Sequence, residues 1–308
     1  MLHSIGTKAI KFYNFLRILS FFLVLLFSKT LEGKTHYKYD VAICTVFRND
    51  ARFLKEWIEF HKLCGVQHFW LFNNLSTDDY MTVLNPYIED KTVDLIEWPY
   101  ESNDWNQWHE IQNSAFEKGI QLAKGKAKWL AIIDSDEFLF PSKKKRLIDV
   151  LKHFEKYGGV YVNWQVFGTS GVKRIPSDKL MIEMLVMKTD KNFIKNRVGK
   201  SIVRPERVLK VLNAHRMTYV KGFFEVNENK VKQSSFSMHA TKKTHIEKLR
   251  INHYWSRDED FLHNQKLSRR FKEKSDNYNP LMEIENLSCH YDGTILRFVP
   301  MLKKKMDL

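Results

Sequence analysis

The chain has 308 residues, of which 44% are hydrophobic and 14% aromatic; this excludes a disordered tail and allows a sizeable core. Lys and Arg exceed Asp and Glu by 14, a balance that suits an anionic partner such as a nucleotide, a nucleic acid or an acidic lipid. Three widely spaced cysteines, Cys44, Cys64 and Cys289, exclude a disulfide framework and offer no zinc-ligand spacing.

Residues 1–35 form a signal-like segment. Lys8, Lys11 and Arg17 precede an apolar run at 18–27 that lacks the small residues of a cleavage site. The pattern predicts an uncleaved N-terminal hydrophobic anchor helix. It implies a membrane-associated, single-pass protein, Golgi-type in a eukaryote and inner-membrane in a bacterium. The remainder divides into a catalytic domain over 36–275 and a C-terminal extension over 276–308. Within the domain, 36–140 reads as a nucleotide half and 141–275 as an acceptor half.

Apolar runs at 41–46, 68–72 and 93–98 read as buried strands, each ending in polar residues. Between them, a helix is predicted from Asn49 or Asp50 as cap to Gly65 as stop, with Phe53, Trp57 and Phe60 on its apolar face. A short helix runs to about Glu89, and a long one spans 106–124. This βαβαβαβ order predicts an α/β fold with a mostly parallel central sheet flanked by helices. A basic run, Lys143 to Arg146, reads as a solvated helix start. Beyond it a strand is expected at 160–167, extended segments near 200–211 and 216–226 lack clean alternation, and a charged helix is expected over 258–274.

The strand at 129–133 is the one that ends in chemistry. Its apolar run stops on Asp134-Ser135-Asp136-Glu137, three carboxylates in four residues. Strand ends are where open α/β sheets bind ligands. Asp134 and Asp136 there suit a hard divalent cation, Mg²⁺ or Mn²⁺, shared with substrate phosphates. Thr45, Arg48 and Asn49 at the first strand end, and Asn73, Asn74 and Ser76 at the second, complete the outline of a nucleotide-diphosphate pocket.

In this order the motifs Phe47-Arg48-Asn49-Asp50, Glu56-Trp57-Ile58-Glu59-Phe60-His61, Phe72-Asn73-Asn74-Leu75-Ser76-Thr77-Asp78, Ile133-Asp134-Ser135-Asp136-Glu137-Phe138, Trp164-Gln165-Val166-Phe167-Gly168-Thr169-Ser170-Gly171, Lys200-Ser201-Ile202-Val203-Arg204-Pro205 and Asn252-His253-Tyr254 resemble glycosyltransferase family 92. More broadly they are similar to metal-dependent transferases of the GT-A fold. The likeness runs over about residues 42–270.

The resemblance implies transfer of a hexose, galactose from UDP-galactose, to a glycan or glycoconjugate acceptor with inversion. It implies Mn²⁺ (or Mg²⁺) held by Asp134 and Asp136, with His253 ahead of His215 as third ligand. Lys200 and Arg204, or Lys266 and Arg270, are the candidate diphosphate clamps. An inverting reaction needs a general base, for which Asp258, Glu259, Glu137 and Glu225 are the candidates. Trp105 and Trp108 suit stacking on a sugar, and the loop 167–171 suits the acceptor side. The rival readings are a metal-dependent phosphoryl hydrolase, which ordinarily needs more ligands for two ions, and an inactive sugar-binding module. No nucleic-acid motif is present.

Overall fold

Side chains alternate across the first strand, β1 (Tyr39–Phe47), and this alternation builds two hydrophobic layers at once. Val41, Ile43 and Phe47 face one core; Ala42, Cys44 and Val46 face the other. The computed structural model describes residues 36–233, 243–266, 284 and 287–308. Within it, Lys38–Leu308 form one unit. The expected N-terminal anchor lies outside the described residues, and among those described no helix is long and apolar enough to cross a membrane.

Helix α1 (Ala51–Leu63) follows β1 and buries Phe53, Leu54, Trp57, Ile58 and Phe60. It stops at Gly65, whose φ of +90° lies in the left-handed region. Its start differs from the sequence expectation. The Asp50 carboxylate makes no capping bond; the free amide of Ala51 donates to Asp78 Oδ2 at 2.8 Å instead. Then come β2 (His68–Asn73), α2 (Tyr80–Glu89), β3 (Val93–Glu97) and α3 (Trp105–Ala123). Asp104 caps α3 by accepting from the Gln107 amide at 2.9 Å. α3 lies close to the sheet because residue 119 is glycine: a Cβ there would fall 2.3 Å from Cys44 Sγ.

The chain continues through β4 (Ala127–Ile132), β5 (Glu137–Pro141), α4 (Ile148–Leu151), β6 (Gly159–Val166), α5 (Met181–Met184) and β7 (Met187–Lys188). It closes with β8 (Gly199–Val203), β9 (Val208–Asn213), β10 (Arg216–Tyr219), β11 (Glu225–Asn227), β12 (Leu249–His253), α6 (Glu259–Phe261), β13 (His290–Tyr291) and α7 (Val299–Met306). The main sheet has the order β3-β2-β1-β4-β8-β6-β12-β5, with β11 also beside β6. From β3 to β4 all neighbours are parallel, as expected. Beyond β4 the sheet turns mixed: β8 is antiparallel to both β4 and β6, and β5 is antiparallel to β12. The sheet is therefore curled and mixed, a correction to the mostly parallel sheet expected from the early βα alternation.

β5 ends the sheet, and α1 satisfies its outer backbone groups. Trp57 Nε1 donates to Glu137 O at 2.8 Å. His61 Nε2 accepts from the Leu139 amide at 3.0 Å while Nδ1 meets Trp57 O at 2.8 Å. This pairing fixes a neutral imidazole with its proton on Nδ1, and burial pushes the His61 pKa down to about 3. An exposed edge is thereby closed by side chains. Phe60 packs on Phe138 and Phe298 at ring-centroid distances of 5.0 and 5.1 Å, joining α1 to β5 and α7. The predicted helix over 258–274 is, in its described part, α6 followed by a π-helical turn, Leu262–Lys266; residues 267–274 lie outside the described region.

Candidate active site

The turn between β4 and β5 carries Asp134, Ser135 and Asp136. β4 and β5 are consecutive in the chain but lie far apart in the sheet order, so this turn bridges the opening of the curled sheet. Beside it is a cavity of about 940 Å³, within the size range of ligand sites. Its lining includes Asp134, Asp136, Lys200, His253 and Lys266, Arg48 and Asn74, and Trp105, Trp108 and Gln112 from α3.

Each aspartate of the turn holds a lysine. Lys200, fully buried on β8, places Nζ 2.8 Å from Asp134 Oδ2 and 3.3 Å from Ala214 O. Lys266, in the π-helical turn, bonds Asp136 Oδ2 and lies 5.4 Å from the Trp255 ring centre. Asp136 also faces His253, whose Nε2 is 3.5 Å from Oδ1. Burial acts to raise the Asp136 pKa, but Lys266, His253 and Arg257 outweigh it and hold the carboxyl well below the usual range. Glu137 behaves in the opposite way. It is fully buried, 3.9 Å from Lys200, and burial together with Asp134 and Asp136 lifts it well above the usual range despite Lys200. The Lys200 ammonium sits closer to Asp134 than to Glu137. Glu137 Oε2 accepts the Asp134 amide at 2.9 Å, which fixes the turn from behind.

A second network locks the turn from the side. Asp50 accepts from Arg257 Nη1 at 2.6 Å and from the Ser135 hydroxyl, and Arg257 Nη2 reaches Ser135 Oγ at 3.2 Å. The guanidinium lies between Phe53 and Phe261, 4.3 and 4.4 Å from their ring centres. Neither Asp50 nor Arg257 was singled out as a site residue from sequence. Asp50 stands inside a quoted motif and Arg257 just before the expected helix over 258–274, but nothing local announces a bond across 207 residues. Gln112 and Trp164 are further cavity residues missed. Trp164 packs on His253 at 4.2 Å and on His215 at 5.3 Å between ring centroids.

The structure brings together Arg48, Asn74, Asp134, Asp136, Lys200, His253 and Lys266 from the sequence-derived set, with His215, Trp105 and Trp108 also on the cavity wall. His215 Nδ1 meets Gly199 O at 3.0 Å, and burial takes its pKa down to about 3, so it is neutral. Others of the set support the wall from outside. Asn49 Oδ1 accepts the Thr77 amide at 2.6 Å, its own amide donates to Ser76 Oγ at 2.9 Å, and Asn73 Nδ2 donates to Glu97 at 2.8 Å. Thr45 is buried, with its hydroxyl 3.4 Å from Val46 O. Arg204 is buried beside Trp129 and Glu155 O.

The four candidate bases do not line the cavity. Asp258 is fully buried, bonded to Arg52 and to the amides of Ile175 and Phe261, both at 2.9 Å. Glu225 meets Arg216 Nη1 and the Tyr219 hydroxyl, each at 3.0 Å, and burial raises its pKa. Glu259 is half-buried at the start of α6. Glu137 lies behind the turn. In the loop 167–171 the Ser170 hydroxyl accepts the Met187 amide at 2.9 Å, and the loop stands off the cavity wall. Arg270 lies outside the described residues.

The donor chemistry here fits a hard divalent cation. Asp134 and Asp136 each keep one oxygen, Oδ1, that bonds no lysine, and His253 adds a nitrogen beside the second. These donors are not already gathered: among the described residues no group of three His, Cys, Asp or Glu is placed to hold a metal.

The chain is 30% identical to a glycosyltransferase family 92 protein of Ricinus communis over 199 residues, which is 62% of this chain and 34% of that one. It is 32% identical to a family 92 protein of Oryza sativa subsp. japonica over 154 residues, 49% of this chain and 24% of that one. The matched part thus spans about a third or less of these curated relatives. Among solved structures, S. aureus TarS with UDP-GlcNAc matches at 10% identity and a TM-score of 0.40, over 86% of this chain and 73% of that one. Glucosyl-3-phosphoglycerate synthase of Mycobacterium tuberculosis with Mn²⁺ and UDP matches at 11% identity and a TM-score of 0.27, over 41% and 44%. The sequence pattern that defines the family covers residues 37–286, and the chain belongs to glycosyltransferase family 92.

Proposed function

We propose that this protein transfers a hexose, galactose from UDP-galactose, to a glycan or glycoconjugate acceptor with inversion at the anomeric carbon. The observation that carries the reading is the cluster of two aspartates and two lysines on the wall of a cavity of about 940 Å³. Departure of a nucleoside diphosphate develops negative charge, and fixed cations in a partly dry site stabilise it. Lys200 is held for that role: it has no exposed surface, and although burial by itself would lower its pKa, Asp134 and Glu137 hold it raised and charged. Lys266 lines the same cavity and bonds Asp136.

Asp134, Asp136 and His253 would hold Mn²⁺ or Mg²⁺, which when bound serves as Lewis acid and template for the diphosphate. Arg48 and Asn74 flank the nucleotide side. Asn74 itself is fixed, giving its amide protons to Trp98 O at 2.9 Å and Tyr100 O at 2.8 Å. Trp105 and Trp108 offer faces for a sugar ring on the acceptor side. In this reading the apolar run 18–27 tethers the domain to a membrane.

The test is UDP release from a panel of UDP-sugars by the full chain, with Mn²⁺ and with chelator, followed by NMR of the glycosidic product. The reading predicts chelator-sensitive release that favours UDP-galactose, and a β-linked product. Silence with every UDP-sugar, or release that ignores chelator, overturns it; phosphodiester cleavage instead would make the protein a hydrolase.

A further inference from the structure

The two lysine–aspartate pairs of the site are not equivalent. Lys200 is locked: fully buried, it meets Asp134, Ala214 O and Glu137 at 2.8, 3.3 and 3.9 Å. Lys266 is held more lightly. Its side chain is 23% exposed, it reaches Asp136 from a π-helical turn, and its neighbour on the cavity wall is the Trp255 ring, 5.4 Å from Nζ. Four rotatable bonds let the ammonium leave Asp136 while keeping its contact with the indole face.

Resting on the nucleotide-sugar reading above, we propose that Lys266 is a displaceable counter-ion of Asp136. Nucleoside diphosphate draws its ammonium off the carboxylate, and the freed carboxylate then takes the divalent cation. Three observations carry this. First, the donors for a metal are present but not gathered, and the Lys266 ammonium sits on one of them. Second, both aspartates of the turn are already paired, Asp134 to Lys200 and Asp136 to Lys266. A dication added alone would face two ammoniums, and a diphosphate added alone would face two carboxylates. Both are disfavoured near a buried wall, and adding the two together removes both conflicts. Third, His253 Nε2 stays beside Asp136 Oδ1 at 3.5 Å, on the oxygen that Lys266 does not use. Metal and nucleotide are then coupled ligands, each raising the affinity of the other by the same factor.

The experiment is a Mn²⁺ titration of the full chain, followed by the electron paramagnetic resonance of free Mn²⁺, with and without saturating UDP. UDP binding is measured in parallel by calorimetry. Wild-type protein should bind Mn²⁺ about tenfold or more tightly with UDP than alone. Lys266→Met should bind Mn²⁺ alone more tightly than wild type and lose most of the gain from UDP; Lys266→Arg, which keeps the cation, should behave as wild type. Mn²⁺ affinity indifferent to UDP in the wild type, or Lys266→Met binding Mn²⁺ no more tightly than wild type, overturns the exchange and leaves the nucleotide reading standing. If UDP binds neither with Mn²⁺ nor without it, the nucleotide reading falls and the exchange falls with it.

Discussion

The two halves of the sheet contribute opposite charges to one site. The parallel half from β3 to β4, with the turn that follows it, supplies the acids Asp50, Asp134 and Asp136. The mixed half supplies the cations: Lys200 on β8, Arg257 after β12 and Lys266 beyond α6, with His253 at the end of β12. Neither set is tolerable by itself. Buried carboxylates without cations, or a buried lysine without carboxylates, cost several kcal/mol each (roughly) and would shift their pKa values until neutral. The site is therefore a consequence of the halves closing on each other. A reversed pair, Arg52 with Asp258, ties the same loops together outside the main cavity.

Breaking the acid side at its centre has the largest expected effect. Asp136→Asn should lower UDP release by about 10³-fold while leaving the far-ultraviolet circular dichroism unchanged. Activity close to wild type would mean that the acids do not act on the diphosphate. The comparison is sharpened next at Arg257, which has no exposed surface and holds both Asp50 and Ser135. Arg257→Met strands the Asp50 carboxylate and should cost about 3–5 kcal/mol in urea denaturation. Adding Asp50→Asn should return part of that loss, a coupling that two independent sites would not show.

A smaller effect concerns acid stability within the first half. Unfolded His61 takes a proton as pH falls through about 6.5, whereas the folded ring resists to about 3. The unfolded state thus binds more protons in this window, so stability falls as pH drops from about 6.5 toward 3. His61→Gln can donate to Trp57 O and accept from Leu139, and it has no proton to take up. Its stability should be flatter with pH between 3 and 6.5 than that of the wild type, read from urea midpoints. The smallest effect is expected at Glu259, half-buried and off the cavity wall. Glu259→Gln should keep UDP release within about twofold of wild type, as substitutions away from special features do. A large loss there would show that the loop after β12 moves onto the acceptor.

The parallel half was legible in the chain because its strands are continuous apolar runs. The runs at 41–46, 68–72 and 93–98 became β1, β2 and β3 with small changes at their ends. The mixed half was legible only in part: the run at 160–167 became β6, but other strands carry charges that are buried only through partners. β8 contains Lys200 and β11 contains Glu225, each without exposed surface or nearly so, and both lie in segments that lack clean apolar alternation in the sequence. The same physics hid the roles of individual acids. Asp258 looked available as a base at a helix start, yet Arg52 and two backbone amides occupy it. Asp50 looked like a helix cap, and a distant arginine claimed it.

Local sequence alone determined the class of fold, the first four strands and the acidic turn after the fourth. Apolar periodicity and chain reversal are properties of neighbouring residues, so they can be read from the order of residues. Which cation meets which carboxylate was decided only by tertiary structure. Lys200 reaches Asp134 across 66 residues, and Lys266 reaches Asp136 across 130. Those bonds depend on how the sheet curls, which is set by the packing of the whole domain.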